Sequence, residues 1–206
     1  MKTTRCFLLM YLALLVFAPP LKADPLVFDF STFNNASHAT SATFTSGSFS
    51  IVATGYTYNW YRHTLSETPL YYTSGSGLNS GLGLLNYNNQ QIGVNQFIQL
   101  DLGSMHFNLI GVIGSLQCSD AWSIWGSQSA ACWRGNSCAL NTMTGTASNV
   151  DLSPWSGDRY LNIGASQGGV LIHSVSGDEP VPEPGTVVLL VSGLAVMLTI
   201  VKKRIL

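Results

Sequence analysis

Charge is scarce in this chain, and the scarcity is greatest in its middle. Only 9% of the 206 residues are charged. Residues 24–178 contain no lysine and eight acidic residues, and their three arginines, Arg62, Arg134 and Arg159, are far apart in the sequence. Neutralising a phosphate backbone takes clustered lysine and arginine. We therefore expect no nucleic acid among the partners of this protein.

The middle segment also lacks common catalytic and metal-binding motifs. It has no G-x-S-x-G and no C-x-x-C, and its four histidines are widely spaced. An acid in a long loop, such as Asp151 or Asp158, is usually a turn residue. We therefore expect no enzyme, no cofactor and no bound metal. Asp101 and Asp120 are kept only as candidate Ca²⁺ ligands, because jelly-roll sandwiches often bind Ca²⁺ through carboxylates and loop carbonyls.

Cysteines are few, and three of the four lie beyond residue 23. An exported protein in an oxidising compartment would form a disulfide from such residues. Cys132 and Cys138 enclose the shortest loop and are our first choice for the pair. Cys118 with either of them is the alternative, and one thiol is left over.

The N-terminus has the pattern of a secretory signal peptide. Lys2 and Arg5 precede an apolar stretch over residues 6–18, and Ala23 is a small residue at which a signal peptidase could cut. We expect residues 1–23 to be this signal peptide, with an uncleaved anchor as the alternative.

Residues 24–178 alternate between apolar and polar side chains in several short runs, and none shows helical spacing over three turns. Runs rich in aromatic and β-branched residues, separated by Gly, Asn and Ser, predict an all-β ectodomain, a sandwich of the jelly-roll type. The stretches 74–91 and 128–156 are expected to be long irregular connections. The predicted strands are Leu26–Phe30, Ser48–Tyr61, Pro69–Thr73, Asn95–Gly103, Phe107–Leu116, Ala121–Gly126, Arg159–Ala165 and Gly169–Gly177.

One predicted strand carries aromatic residues at every second position. Tyr56, Tyr58 and Trp60 share one face of the run Ser48–Tyr61. Exposed rings in such a row would form a platform for stacking on sugars, as in carbohydrate-binding modules. The alternative is that the row is the core-facing side of the strand.

The C-terminus combines a proline-rich linker with an apolar run. Residues 179–185 hold prolines at 180, 182 and 184, which prevent a continuous helix or strand. Residues 186–201 are 16 uncharged residues, about 24 Å of helix against a ~30 Å hydrocarbon core. Lysine side chains in the basic tail 202–206 can reach the interface, so we expect a single transmembrane helix with this tail in the cytoplasm.

The order of these C-terminal features resembles a known sorting signal. The motif Val181, Pro182, Glu183 and Pro184 is followed by the apolar span and then by the basic stop, which consists of Lys202, Lys203 and Arg204. This pattern, over residues 179–206, resembles the PEP-CTERM signal of exported Gram-negative proteins. The resemblance implies recognition by a membrane-embedded exosortase, a transient stay in the inner membrane, cleavage near the motif and release to the exterior. It also implies bacteria that often secrete exopolysaccharide.

The middle segment is similar, less closely, to the β-sandwich domains of such proteins in runs such as "FIQLDLG" and "SDAWSIWGS". Those domains often carry acidic residues before the first of these runs, where this chain has Asn and Gln. The expected function is that of an exported, non-enzymatic cell-surface or extracellular-matrix protein involved in biofilm. A lectin-like exopolysaccharide-binding module that uses surface Tyr and Trp is the alternative.

Overall fold

The computed structural model describes residues 25–35, 38–75, 80–85, 90–103, 110–114, 119–178 and residue 193. One compact unit spans Pro25–Glu179, and a second comprises Met1–Asp24 with Pro180–Leu206, of which only Gly193 is described. The predicted signal peptide and sorting signal, together with His106 and Cys118, therefore lie outside the described residues. Within those residues, no helix is long and apolar enough to cross a membrane.

Strands account for more than half of the described residues and are the dominant secondary structure, which confirms the all-β prediction. Each of the eight predicted strands is present, and alternation of apolar and polar residues marks most of them. Two short 3-10 helices cover Phe30–Thr32 and Ser153–Trp155. The strands are β1 Pro25–Asp29, β2 Ser41–Ser46, β3 Phe49–Asn59, β4 Thr64–Glu67, β5 Leu70–Thr73, β6 Gly81–Leu84, β7 Gln96–Asp101, β8 Ile110–Gly114, β9 Ala121–Ser127, β10 Leu140–Gly145, β11 Asn149–Asp151, β12 Tyr160–Gln167 and β13 Leu171–Asp178.

These strands form two sheets, and the pairs among the described residues are antiparallel. One sheet has the order β11-β8-β13-β6-β5, with β1 also on β13, and the other has the order β10-β9-β12-β7-β3-β2, with β4 also on β3. The last eight strands pair in a nested way, β6 with β13, β7 with β12, β8 with β11 and β9 with β10. In this nested arrangement, strands β10 to β13 pair with strands β9 to β6 in reverse order. Successive strands from β6 to β9 lie in alternate sheets.

The main core lies between the two sheets. Every second residue of β3, β7 and β12 faces it, for example Ile51, Leu100 and Ile163, and the other sheet contributes residues such as Phe28 and Ile172. Each of these side chains is essentially buried. Full burial of such a residue is worth about 1.5–3 kcal/mol relative to exposure, so this layer holds the two sheets together.

Both stretches predicted to be irregular contain strands. β6 lies inside residues 74–91, where Leu82 and Leu84 are buried in the core and Gly83 approaches the carbonyl of Gln90 so closely that a Cβ would overlap it. The glycines that suggested a loop thus allow close packing of a short strand. β10 and β11 lie inside residues 128–156, and the largely exposed β10 lacks an apolar face that alternation could reveal.

Candidate functional site

A second group of aromatic side chains lies on the outer face of the seven-stranded sheet. Tyr58, Phe97, Trp125 and Trp133 form this aromatic cluster. The first three belong to β3, β7 and β9 and point away from the main core, because side chains alternate along a strand. The sheet is therefore buried on both faces in this region.

The cluster is covered by residues 128–139, here called the cover loop. A disulfide joins Cys132 to Cys138 with an S–S distance of 2.05 Å, the pair of first choice in the sequence. The indole Nε1 of Trp125 donates to the carbonyl oxygen of Cys132 at 2.9 Å. The loop is thus tied both to itself and to the sheet beneath it.

Polar side chains under the loop fix its position further. Gln99 and Asn162 lie on the outer face of the sheet and are buried, and Gln99 Nε2 donates to Asn162 Oδ1 at 2.8 Å. The backbone N–H of Ala131 donates to Gln99 Oε1 at 3.1 Å, and Asn162 Nδ2 donates to the Trp125 carbonyl at 3.2 Å. Each bond satisfies a group whose burial without a partner would be costly.

Trp133 joins the cover loop to the rings of the sheet. Its ring is 2% exposed and lies parallel to Tyr58, with centroids 4.8 Å apart and an interplanar angle of 3°. The guanidinium of Arg134 lies over the Trp133 ring, 5.2 Å from its centroid, and donates to the Ala165 carbonyl at 3.2 Å. Burial lowers the pKa of Arg134 from its ordinary value.

Trp60 lies beside this stack and is half exposed, at 50%. Its centroid is 5.0 Å from Tyr58 and 5.9 Å from Trp133, and its plane is nearly perpendicular to both, at 89° and 88°. Because Tyr58 and Trp133 are themselves 4.8 Å apart, the centroids of the three rings form a compact triangle. Trp60 thus packs perpendicular to both rings, and half of its side chain remains exposed to solvent.

The open ring is held at the tip of a hairpin. Residues 60–63, here called the hairpin tip, connect β3 to β4, and Asn59 Oδ1 accepts the backbone N–H groups of Tyr61 and Arg62 at 3.0 and 3.1 Å. Trp60 Nε1 donates to Asn95 Oδ1 at 2.5 Å. The Tyr61 side chain is 98% exposed and that of Arg62 is exposed as well. The tip thus presents two aromatic rings and a cation on a fixed backbone.

The three residues of the predicted platform have different surroundings. Tyr58 is 8% exposed under the cover loop, and Tyr56 is partly buried and stacks on Phe97 at 5.1 Å. They lie neither in the main core nor on a free surface. Trp60 alone among them is half exposed, so a ligand would have to approach at the hairpin tip.

The two candidate Ca²⁺ ligands lie far apart. Asp101 pairs with Tyr160 at the start of β12 and contacts Arg159 at 3.5 Å, whereas Asp120 lies against Gly168, just past the other end of β12. The eight residues of β12 span roughly 23 Å. The structure therefore does not bring these two carboxylates to one site, and no three His, Cys, Asp or Glu side chains among the described residues form a metal-binding group.

The remaining acids have structural surroundings. Asp151 accepts the backbone N–H and the hydroxyl of Ser153, both at 2.9 Å, as in an Asx turn. Asp158 is 9% exposed; its Oδ1 accepts from Gln128 Nε2 at 3.2 Å, and its Oδ2 has no hydrogen-bond partner among the described residues. Burial raises the pKa of Asp158.

Sequence reasoning did not single out Arg62, Asn95 or Arg134 as parts of a surface site. Two signals were available in the sequence. Arg62 lies two residues after Trp60, and Trp133 is followed by Arg134 in the short loop between Cys132 and Cys138. Only the fold shows that Asn95 bonds to Trp60 and that Arg134 covers Trp133, whose ring packs against Trp60.

No protein-family model matches this chain, and neither a curated protein nor a solved structure does.

Proposed function

We propose that this protein is exported through the inner membrane of a Gram-negative bacterium and serves, without enzymatic activity, at the cell surface or in the extracellular matrix. A C-terminal signal recognised by an exosortase would direct it there, and its ectodomain would contribute to biofilm. The observation that carries this proposal is the ordered signal itself, the motif Val181–Pro184 followed by an apolar span and a basic stop.

The disulfide supports export. Cys132 and Cys138 are joined in the cover loop. Structural disulfides persist in oxidising compartments and are rare in the reducing cytosol. A protein whose cover loop is closed by this bond is suited to the cell exterior.

We further propose that the two sheets form a jelly roll. The support is the nested pairing of β6 with β13, β7 with β12, β8 with β11 and β9 with β10. A long antiparallel ribbon that pairs in this way and is wrapped into two sheets gives the jelly-roll topology. This fold alone does not imply catalysis or binding.

A non-enzymatic role is supported by the surroundings of Asp101, Asp151 and His63. Asp101 faces Arg159, Asp151 completes a turn, and the hydroxyl of Tyr58 lies 3.0 Å from Nδ1 of His63. These groups take part in structural contacts, and none forms a nucleophile–base–acid relay.

The sorting proposal is tested by replacing Glu183 with alanine in a host that contains an exosortase. We expect mass spectrometry to find wild-type protein without Lys202, Lys203 and Arg204, and the E183A protein intact in the inner membrane. Glu179→Ala, four residues upstream of the motif glutamate, is the matched control and should be processed like wild type. An intact basic end on wild-type protein from this host would contradict the proposal.

A further inference from the structure

We propose that the hairpin tip and Arg134 form a binding site for an acidic polysaccharide, in which a pyranose ring stacks on the exposed part of the Trp60 ring and a sugar carboxylate binds the arginines. This inference uses only the compact unit Pro25–Glu179 and does not depend on the sorting proposal.

The stacking surface is preorganised. Trp60 rests on Tyr58 and Trp133, and its Nε1 is bonded to Asn95 Oδ1. A ring that is held in place before binding loses little conformational freedom when a ligand covers it. The apolar C–H face of a pyranose fits a flat aromatic surface of this kind. Tyr61, adjacent and almost fully exposed, supplies a second ring with a hydroxyl that can bond to sugar oxygens.

The charge of the surroundings indicates an acidic sugar. Residues 24–178 contain three arginines and no lysine, and two of these arginines lie here. Arg62 is within the tip, and Arg134 covers Trp133, whose ring contacts Trp60. Guanidinium groups recognise carboxylates through paired hydrogen bonds.

Among the described residues, neither Arg62 nor Arg134 forms a salt bridge that would offset the positive charge of this surface. The described hydrogen bonds of Arg134 go to the backbone carbonyls of Ala165 and Val94, which leave its charge uncompensated. Glu67 lies at the far end of β4 from the tip, where its carboxylate accepts a hydrogen bond from the Thr40 hydroxyl at 2.7 Å. By contrast, the third arginine, Arg159, contacts Asp101. A carboxylated ligand bound at the hairpin tip would therefore lie near the guanidinium groups of Arg62 and Arg134.

The experiment measures retention of the full chain, in a polyoxyethylene-ether detergent that contains no sugar, on beads carrying polygalacturonate or alginate. Dextran beads are the neutral comparison, and vesicles of phosphatidylglycerol test for a membrane surface. We expect binding to an acidic polysaccharide that weakens as salt is raised, because the charges are exposed. Trp60→Ala should weaken it at least about tenfold, as truncation of an aromatic anchor does at binding sites.

Two further variants complete the test. Arg62→Glu reverses an exposed charge without removing a packed side chain, so it should fold and should also lose at least about tenfold in affinity. Met143→Ala removes an exposed apolar side chain on β10, away from the tip, and should bind like wild type. Equal retention on dextran, no retention on either acidic polysaccharide, or binding only to the vesicles would each overturn the proposal. Unchanged affinity of the R62E variant would overturn it as well.

Discussion

Replacing Trp133 by alanine removes the ring that connects the cover loop to the sheet. This ring touches the two remaining large members of the cluster at the sheet, Phe97 at 5.8 Å and Trp125 at 5.9 Å, besides stacking on Tyr58. The disulfide and the bond from Trp125 to the Cys132 carbonyl remain in the variant. The decrease in the free energy of unfolding of W133A therefore measures the packing of one side chain and not the presence of the loop.

The magnitude follows from burial. A tryptophan buries on the order of 200 Å² of surface, and at about 25 cal/mol per Å² this is worth roughly 5 kcal/mol. Comparison with an extended unfolded chain overstates burial, whereas the cavity left by truncation adds to the cost. Because Trp133 is almost fully buried, we expect W133A to lower the free energy of unfolding by about 3–5 kcal/mol.

Urea unfolding of residues 25–179, followed by circular dichroism, measures this change. Trp133→Phe keeps a ring on Tyr58 and should cost less than half as much. The half-exposed Trp60, changed to alanine, should cost less than about 2 kcal/mol. A loss below about 1 kcal/mol for W133A would mean that the loop is not packed on the sheet, and the reasoning would fail.

Direct stacking between Tyr58 and Trp133 can be separated from general burial by a double-mutant cycle. With both changed to alanine, the summed single losses should exceed the double loss by about 1 kcal/mol, as for other aromatic pairs. Strict additivity of the two losses would argue against the parallel contact.

Three further predictions concern the surroundings of this region. Replacing both Cys132 and Cys138 by serine should lower the free energy of unfolding by roughly 2 kcal/mol, because the bond closes a short loop with a separation of 6 residues; an unchanged urea midpoint would contradict this. Gly126→Ala should cost about 1–3 kcal/mol, because its Cβ would overlap the Asp158 carboxylate, whereas Gly157→Ala, with open space around it, should cost little. Burial raises the pKa of Asp158 above the ordinary value of 3.8. The protonated carboxyl therefore contributes to folding stability below that pH, and this contribution is lost as the pH rises through the folded-state pKa. Asp158→Asn should therefore gain stability relative to wild type between about pH 3 and about pH 7, and a pH-independent difference in urea midpoints would refute this.

The strands that could be predicted from the sequence are those with one face in the main core. β7 and β12 alternate because Ile98 and Ile163 meet the other sheet, while their neighbours Phe97 and Asn162 face outward. The alternation of apolar and polar residues was visible in the sequence because the buried side chains on the inner face of these strands are apolar. Such alternation is typical of antiparallel sheets with one solvated face. Here it persists on a face that is also buried, because the polar Gln99 and Asn162 bond to each other beneath the cover loop.

Strands at the edges of the sheets left weaker signals. β2 is paired on one side only, and among its residues only Phe44 is buried, so its sequence reads as a polar connection. β4 and β10 also lie at sheet edges and are largely exposed. Their strand conformation comes from hydrogen bonds to a neighbour distant in sequence or across a turn, which local composition does not encode.

The candidate site could be predicted only in part. The shared face of Tyr58 and Trp60 followed from alternation along β3. The cover loop, about 70 residues later in the chain, buries Tyr58 and leaves Trp60 half exposed, and the sequence of β3 does not encode this contact. The contact of Trp60 with Trp133, the ring that Arg134 covers, has the same origin. Contacts between distant segments arise from topology, which a pattern within one segment does not contain.

The position of β13 has a mechanical consequence. It lies between β8 on one side and β1 and β6 on the other, and its last residue, Asp178, pairs with Pro25. A pull directed along β13 from its end at Asp178 would load its hydrogen bonds to three strands at once, since these bonds run across the strand direction. They would have to break together and not one after another. Strand β13 would thus resist extension from its C-terminal end more strongly than a strand at the edge of a sheet.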